Sequence, residues 1–253
     1  MHRPVFSGEL CESQSLDTVG LVAESDNFYR FLKKVAIGPA IEVAYHPWVE
    51  GLENIPETGA AILASNHLSF SDSIFLPIAV PRKITFLAKA EYFNAPGIKG
   101  KVTAAFFRGA GQVPVDRTGG NAGTAAIATG VRLLKEGHLL GIYPEGTRSP
   151  DARLYRGKTG VARMALEARV PVIPVGMHNT EKVQPVGRSR PNFGVDVGIT
   201  IGKPLDFSRY YGMEDDRFVL RSLTDEITYK IMELSGQEYV DMYASRAKTI
   251  AGD

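Results

Sequence analysis

At 253 residues, of which 44% are apolar, the chain is long enough for one large α/β domain with an ample core. Lysines and arginines number 29 against 28 acids, a net charge of +1, which excludes a global attraction to nucleic acid or to anionic membranes; electrostatic recognition has to be local. The single cysteine, Cys11, excludes an internal disulfide and a cysteine-based metal cluster and fits a reducing, intracellular setting.

Met1-His2-Arg3-Pro4 leads into a polar stretch with no apolar h-region, so no cleavable signal is expected. No apolar run reaches the 18 or so residues of a membrane span. Residues 1–26 read as a flexible lead-in. Residues 27–48 carry aromatic and aliphatic side chains thickly, from Phe28 to Trp48, with Arg30, Lys33 and Lys34 among them. This segment is either an ordinary helix packed on the core or an interfacial one with lysines at headgroup level. Gly38-Pro39 is expected to bend or break it.

The main domain, 49–240, opens with the turn-rich Gly51–Pro56 and an apolar run, Ala60–Ala64, expected as a buried strand. Helix Ile74–Ala79, strand Ile84–Ala88 and a helix around Ile98–Phe107 follow. Gly109–Val115 then leads to Asp116-Arg117. Ala122–Glu136 has helical spacing, Leu139–Tyr143 reads as a buried strand, and Lys158–Arg169 as a helix. Val170–Val175 is a further strand whose prolines suggest an edge or a broken ladder. Val195–Ile201 is expected as the last strand, Glu214–Leu234 as an amphipathic helix, and 241–253 as a tail. Strands alternating with helices imply an α/β layered fold, its central sheet mixed but largely parallel and flanked by helices.

His67 and Asp72 follow the first buried strand. No regular helix or strand brings residues five apart together, so they meet only if the chain turns through His67 and enters a helix near Asp72. An imidazole held by a carboxylate is the minimal kit for taking a proton from a hydroxyl. Alone, the pattern is weak, because Asp72 could simply cap the helix. Asn66-His67, Lys89, Asp116-Arg117 and Glu145-Gly146-Thr147-Arg148 each follow an expected strand, the end at which parallel sheets gather ligands. Arg117 and Arg148 present forks suited to phosphate, Gly146 and Thr147 could add donors, and Lys89 offers a compact charge. The plainer alternative is a surface ion pair, Arg117 with Asp116 or Arg148 with Asp151. Glu145 is better suited to orienting Arg148 or a backbone donor than to proton transfer. Ser69, Ser71 and Ser73 lack a nucleophile elbow, and no histidine spacing resembles a metal site.

Four ordered blocks, Asn66–Asp72, Gly111–Arg117, Pro144–Ser149 and Val170–Val175, resemble the motif blocks of the glycerolipid acyltransferases, most of all the bacterial lysophosphatidate (PlsC) type, with an actinobacterial texture. The resemblance implies the fold of that family, with His67 as general base, Asp72 as its orienting partner, and Arg117, Glu145, Gly146, Thr147 and Arg148 at the acceptor phosphate, assisted by Lys89. It implies an acyl-accommodating role for Val172, Ile173 and Pro174. It implies acyl transfer to the sn-2 hydroxyl of 1-acylglycerol-3-phosphate in phospholipid synthesis. Acyl-CoA or acyl carrier protein would be cosubstrate, with no bound cofactor or metal, and the enzyme would sit peripherally on the cytoplasmic face of the cell membrane. Acylation of glycerol-3-phosphate at sn-1 or of another lipid or polyol hydroxyl, a thioesterase, and a non-catalytic lipid-phosphate binding module are the rival readings. Pro114 departs from the family pattern, which leaves the backbone course before Arg117 open.

Overall fold

A computed structural model describes residues 29–94, 96–109, 111–115, 122–185, 188 and 190–251. The central sheet has seven strands: β1 (Trp48–Glu50), β2 (Ala61–Ser65), β3 (Ile84–Lys89), β4 (Gln112–Val115), β5 (Leu139–Ile142), β7 (Val172–His178) and β8 (Gly198–Ile201). They lie in the order β1-β8-β7-β2-β5-β3-β4. Among these strands every neighbouring pair is parallel except β7 and β8. The sheet is therefore mixed and largely parallel, as the alternating pattern implies.

Helices cover both faces: α1 (Ile37–Tyr45), α2 (Asp72–Ala79), α3 (Glu91–Asn94), α4 (Gly97–Gly109), α5 (Ala122–Lys135), α6 (Gly160–Ala168), α7 (Thr180–Val183), α8 (Arg217–Ser235) and α9 (Ala244–Ala251). All five residues of β2 are buried, because a parallel strand covered on both faces has no solvent side. Its alternation sorts the core in two. Ile62 and Ala64 join Leu140, Val172 and the apolar faces of α5, α6 and α8. Ala61 and Leu63 join Leu139, Ile173, Val175 and Ile199 with Phe75 and Leu76 of α2 and Tyr45 of α1. Helix α8 is bounded chemically: Asp216 accepts from the N–H groups of Phe218 and Val219, and Gly236 ends the helix at φ 68°.

Several sequence expectations need correction. Of the two readings of β7, an edge or a broken ladder, the structure shows the second, with β7 inside the sheet. Its proline is tolerated because β8 pairs only with Val175–His178, and Val172 bridges Leu205 beyond it. Pro174 falls between, where its carbonyl accepts from Gly202 N–H (2.8 Å) and no donor is needed. Pro114 does sit on an edge strand, β4, opposite Ala88. Helix α1 runs through Gly38-Pro39 without breaking; a π-helical turn, Leu32–Ala36, precedes it and widens the ladder below the proline. The expected tail carries α9, with Ala244 fully buried, and three short strands were missed: β1, β6 (Leu154–Tyr155) and β9 (Tyr239–Val240), the last two forming a small sheet of their own. At two or three residues each they are too short to show a period. No helix among the described residues is long and apolar enough to cross a membrane.

Close approach of α8 to β7 depends on Gly176. A Cβ there would lie 2.8 Å from the backbone of Leu234 and Ser235, which cannot swing aside as a side chain would. Gly176→Ala should destabilise the fold by about 1–3 kcal/mol, lowering the Tm by roughly 2–8 °C. An unchanged melting curve would show that this helix-sheet contact is looser than described.

Candidate active site

Strands β2 and β5 run side by side, Ala64 opposite Ile142, so the segments that follow them leave the sheet at the same edge. The first turns through Asn66 and His67 and enters α2 at Asp72. There the carboxylate folds back on the turn: Asp72 Oδ2 accepts from Leu68 N–H (2.7 Å), Ser69 N–H (2.8 Å) and His67 Nδ1 (2.8 Å). Asp72 is completely buried. An oxygen that already accepts two backbone N–H groups acts as carboxylate, so Nδ1 is the donor and Nε2 keeps its lone pair. Ser69 and Ser71 are buried in the same turn: Ser71 Oγ donates to Ser69 Oγ, and Ser69 Oγ donates to the Gln184 carbonyl. They brace the loop.

The second segment, Tyr143–Ser149, presses against the first. The Tyr143 ring stacks on the His67 imidazole, centroids 3.9 Å apart and planes within 10°. Its hydroxyl meets Ser73 Oγ at 3.0 Å. Burial, aided by the Asp72 charge, pushes the Tyr143 phenol well above its ordinary value, so it stays protonated. Two backbone bonds tie the segments together. His67 N–H donates to Glu145 Oε1 (3.1 Å), and Ser149 N–H donates to the His67 carbonyl (2.7 Å). Glu145 Oε2 accepts from Tyr155 N–H (3.0 Å).

Glu145 thus faces inward, 2% exposed, and braces the turn instead of lining an anion site, where its charge would repel phosphate. Arg148 is half-buried, and its guanidinium makes no hydrogen bond or ion pair among the described residues. Its suggested partner Asp151 is occupied by Arg153, at 2.6 Å, and by the Tyr155 hydroxyl at 3.0 Å. Gly146 takes φ 74° to make the turn, a conformation that suits glycine. Thr147 Oγ1 accepts from Lys248 Nζ (2.9 Å). Lys89 ends β3, its backbone opposite Val115 of β4. Arg117 lies outside the described residues.

Val172, Ile173 and Pro174 sit inside the sheet. Val172 packs against one face of the core and Ile173 against the other, both with no exposed surface. Their apolar character is accounted for by a strand buried on both faces.

Sequence reasoning missed Tyr143, read only as the end of a strand, although an aromatic there, just before Pro-Glu-Gly, was a signal. Asn66 has no role that the sequence assigns. It is fully buried, accepting from Met177 N–H (2.7 Å) and donating to the Met177 carbonyl (3.0 Å) and to Gln237 (2.7 Å), which anchors the turn to β7.

The acyltransferase family model matches residues 46–178. A 1-acyl-sn-glycerol-3-phosphate acyltransferase of Bacillus subtilis is 30% identical over 190 residues, covering 73% of this chain and 86% of that protein. A chloroplastic 1-acyl-sn-glycerol-3-phosphate acyltransferase of Brassica napus is 30% identical over 207 residues, 81% of this chain and 56% of that one. The chain therefore spans little more than half the length of the plant relative. The crystal structure of the PlsC acyltransferase from Thermotoga maritima superposes with a TM-score of 0.59 at 24% identity, covering 90% of this chain and 86% of that one, and shares the fold.

Burial raises the Glu145 carboxyl from its ordinary 4.5 to about 7, against the two backbone N–H groups that lower it. The folded state therefore holds a proton that the unfolded chain releases at lower pH. The resulting stability is present below about 4.5 and lost as pH rises through about 7. The stability difference between wild type and Glu145→Gln, from urea midpoints, should shift against wild type between about pH 5 and about pH 8. A pH-independent difference would contradict this environment for Glu145.

Proposed function

The chain belongs to the acyltransferase family, and on that premise we propose that it transfers a fatty acyl group from a thioester to the sn-2 hydroxyl of 1-acylglycerol-3-phosphate, giving phosphatidate. The observation that carries the reading is the 2.8 Å bond between His67 Nδ1 and a fully buried Asp72. It leaves Nε2 as the basic nitrogen. Nε2 takes the hydroxyl proton as that oxygen attacks the thioester carbonyl. Collapse of the tetrahedral intermediate breaks the carbon–sulfur bond, and the thiolate recovers the proton from the imidazolium. No acyl-enzyme is needed. Coenzyme A or acyl carrier protein serves as the carrier and no resident cofactor takes part.

Arg148 supplies the acceptor-phosphate contact in this reading. It is held one residue from Ser149, whose N–H bonds the His67 carbonyl, and no carboxylate competes for it among the described residues. Arg117 and Lys89 join it on the strength of the motif resemblance.

The enzyme works at a membrane surface, on the cytoplasmic face. Phe31, Val35 and Val43 repeat at multiples of four along the first helical segment and are 52%, 63% and 76% exposed, a stripe suited to the acyl boundary. Of the cations there, Lys33 is not available to headgroups. It donates to the Pro77 and Val80 carbonyls at the end of α2, and burial lowers its pKa to about 8.

Free thiol should appear from acyl-CoA or acyl carrier protein only when lysophosphatidate is present, with phosphatidate as product. Thiol without acceptor would mean a thioesterase, and no thiol at all a binding module. His67→Ala should lower turnover by about 10²–10⁴ or more while leaving acceptor affinity nearly intact. Arg148→Ala should raise the acceptor KM by roughly 10- to 100-fold, the worth of a charged hydrogen-bonded pair. An unchanged KM would remove Arg148 from the site. Replacing Phe31, Val35 and Val43 with serine should loosen binding to vesicles in a flotation assay; undiminished flotation would make the stripe incidental.

A further inference from the structure

Two lysines outside the recognised motif blocks converge on the same turn. Lys248, from the C-terminal helix α9, donates from Nζ to Thr147 Oγ1 at 2.9 Å. Lys158 arrives from the other direction. Its N–H bonds the Pro144 carbonyl (2.8 Å), and its side chain lies over Gly146, where a Cβ would come within 3.0 Å of both Cε and Nζ. Among the described residues the Lys158 ammonium has no hydrogen bond or ion pair. Arg153 pairs with Asp151 and Glu238, and Arg156 with Asp241. Three cations, Arg148, Lys158 and Lys248, belong to or reach the Gly146–Arg148 turn, while the carboxylate just before it, Glu145, points into the core.

We propose that α9 is part of the acceptor site: Lys248, together with Lys158, holds the phosphomonoester of the acceptor over the Gly146–Thr147 turn. This rests on the acyltransferase reading and extends it to Lys158, outside the four motif blocks, and to Lys248, beyond the 46–178 match. The geometry also gives Thr147 a task. Its oxygen accepts from Lys248, so its own O–H is left to donate to a phosphate oxygen. A phosphomonoester carries up to two negative charges and three acceptor oxygens, room for more donors than the Arg148 guanidinium alone supplies at this turn. Gly146 matters for the same reason. Any side chain there would occupy the space of the Lys158 ammonium, besides straining a backbone at φ 74°. A neutral lipid would gain nothing from this arrangement, so the two lysines select for an acceptor with a free phosphate.

The test is equilibrium binding of 1-oleoyl lysophosphatidate, without acyl donor, to the full chain and to Lys248→Met and Lys158→Met, with 1-oleoylglycerol as the neutral comparison. Each variant should bind lysophosphatidate about 3- to 10-fold more weakly, as expected of a part-exposed charge pair, and 1-oleoylglycerol unchanged. Lys248→Arg should recover most of the loss. Equal losses for both lipids would mean that α9 only supports the fold, and undiminished lysophosphatidate binding in both variants would overturn the proposal. Since binding is read without turnover, these outcomes stand apart from the transfer assay. A wild-type protein that binds lysophosphatidate through these lysines but does not acylate it would refute the proposed reaction and leave this site in place.

Discussion

Two backbone hydrogen bonds at His67 hold the site together. Its N–H is fastened to Glu145 and its carbonyl to the N–H of Ser149, so the turn that carries Arg148 is attached at both ends to the residue that carries the imidazole. His67 and Arg148 come from segments about 80 residues apart in the chain, and these two bonds couple the backbone that carries one to the backbone that carries the other. If the proposed roles hold, the clamp keeps the base and the phosphate ligand at a fixed separation, and such positioning is worth more in rate than either contact is in stability. The carboxylate that makes one of these bonds costs something to bury, and Glu145 registers that cost as a pKa near 7.

The sheet makes the clamp possible. Because β2 and β5 are parallel neighbours, their following segments leave the same edge, and the Tyr143 ring is set down flat on His67. Asp72 and Tyr143 fix different degrees of freedom of that ring. The carboxylate decides which nitrogen bears the proton, and the stacked phenol limits rotation of the plane. Asn66, bonded to Met177 of β7 on the other side of β2, anchors the turn from behind. The dyad sits on three adjacent strands, which is stiffer support than a loop alone could provide.

Long elements were legible in the sequence because period and punctuation agreed. The apolar face of α8 spans Leu220, Leu223, Ile227 and Ile231, and the stop at Gly236 follows it. For the proline-bearing strand the sequence left an edge and a broken ladder open, because the cost of a proline depends on which neighbour its missing donor would have served, a fact of register that one strand does not carry; the structure shows the break. Within the site, His67 and Asp72 could be paired by reasoning from turn geometry and from the motif resemblance. The direction of Glu145 was only half visible: its unsuitability for proton transfer followed from the turn, but its inward aim depends on Tyr155 and His67 backbone groups that sequence does not align. Val172 and Ile173 show an ambiguity of another kind, since a strand buried on both faces and an acyl-lining segment share one composition. Lys248 could not have been found, because it reaches Thr147 across 101 positions on a helix expected as a tail.

The most direct measurement is a crystal structure of the wild-type protein with lysophosphatidate bound and no acyl donor. The account predicts the sn-2 oxygen about 3 Å from His67 Nε2, with the phosphate against Arg148 over the Gly146–Thr147 turn. A headgroup bound elsewhere on the surface, or one whose phosphate reaches this turn while the glycerol oxygen points away from the imidazole, would contradict it.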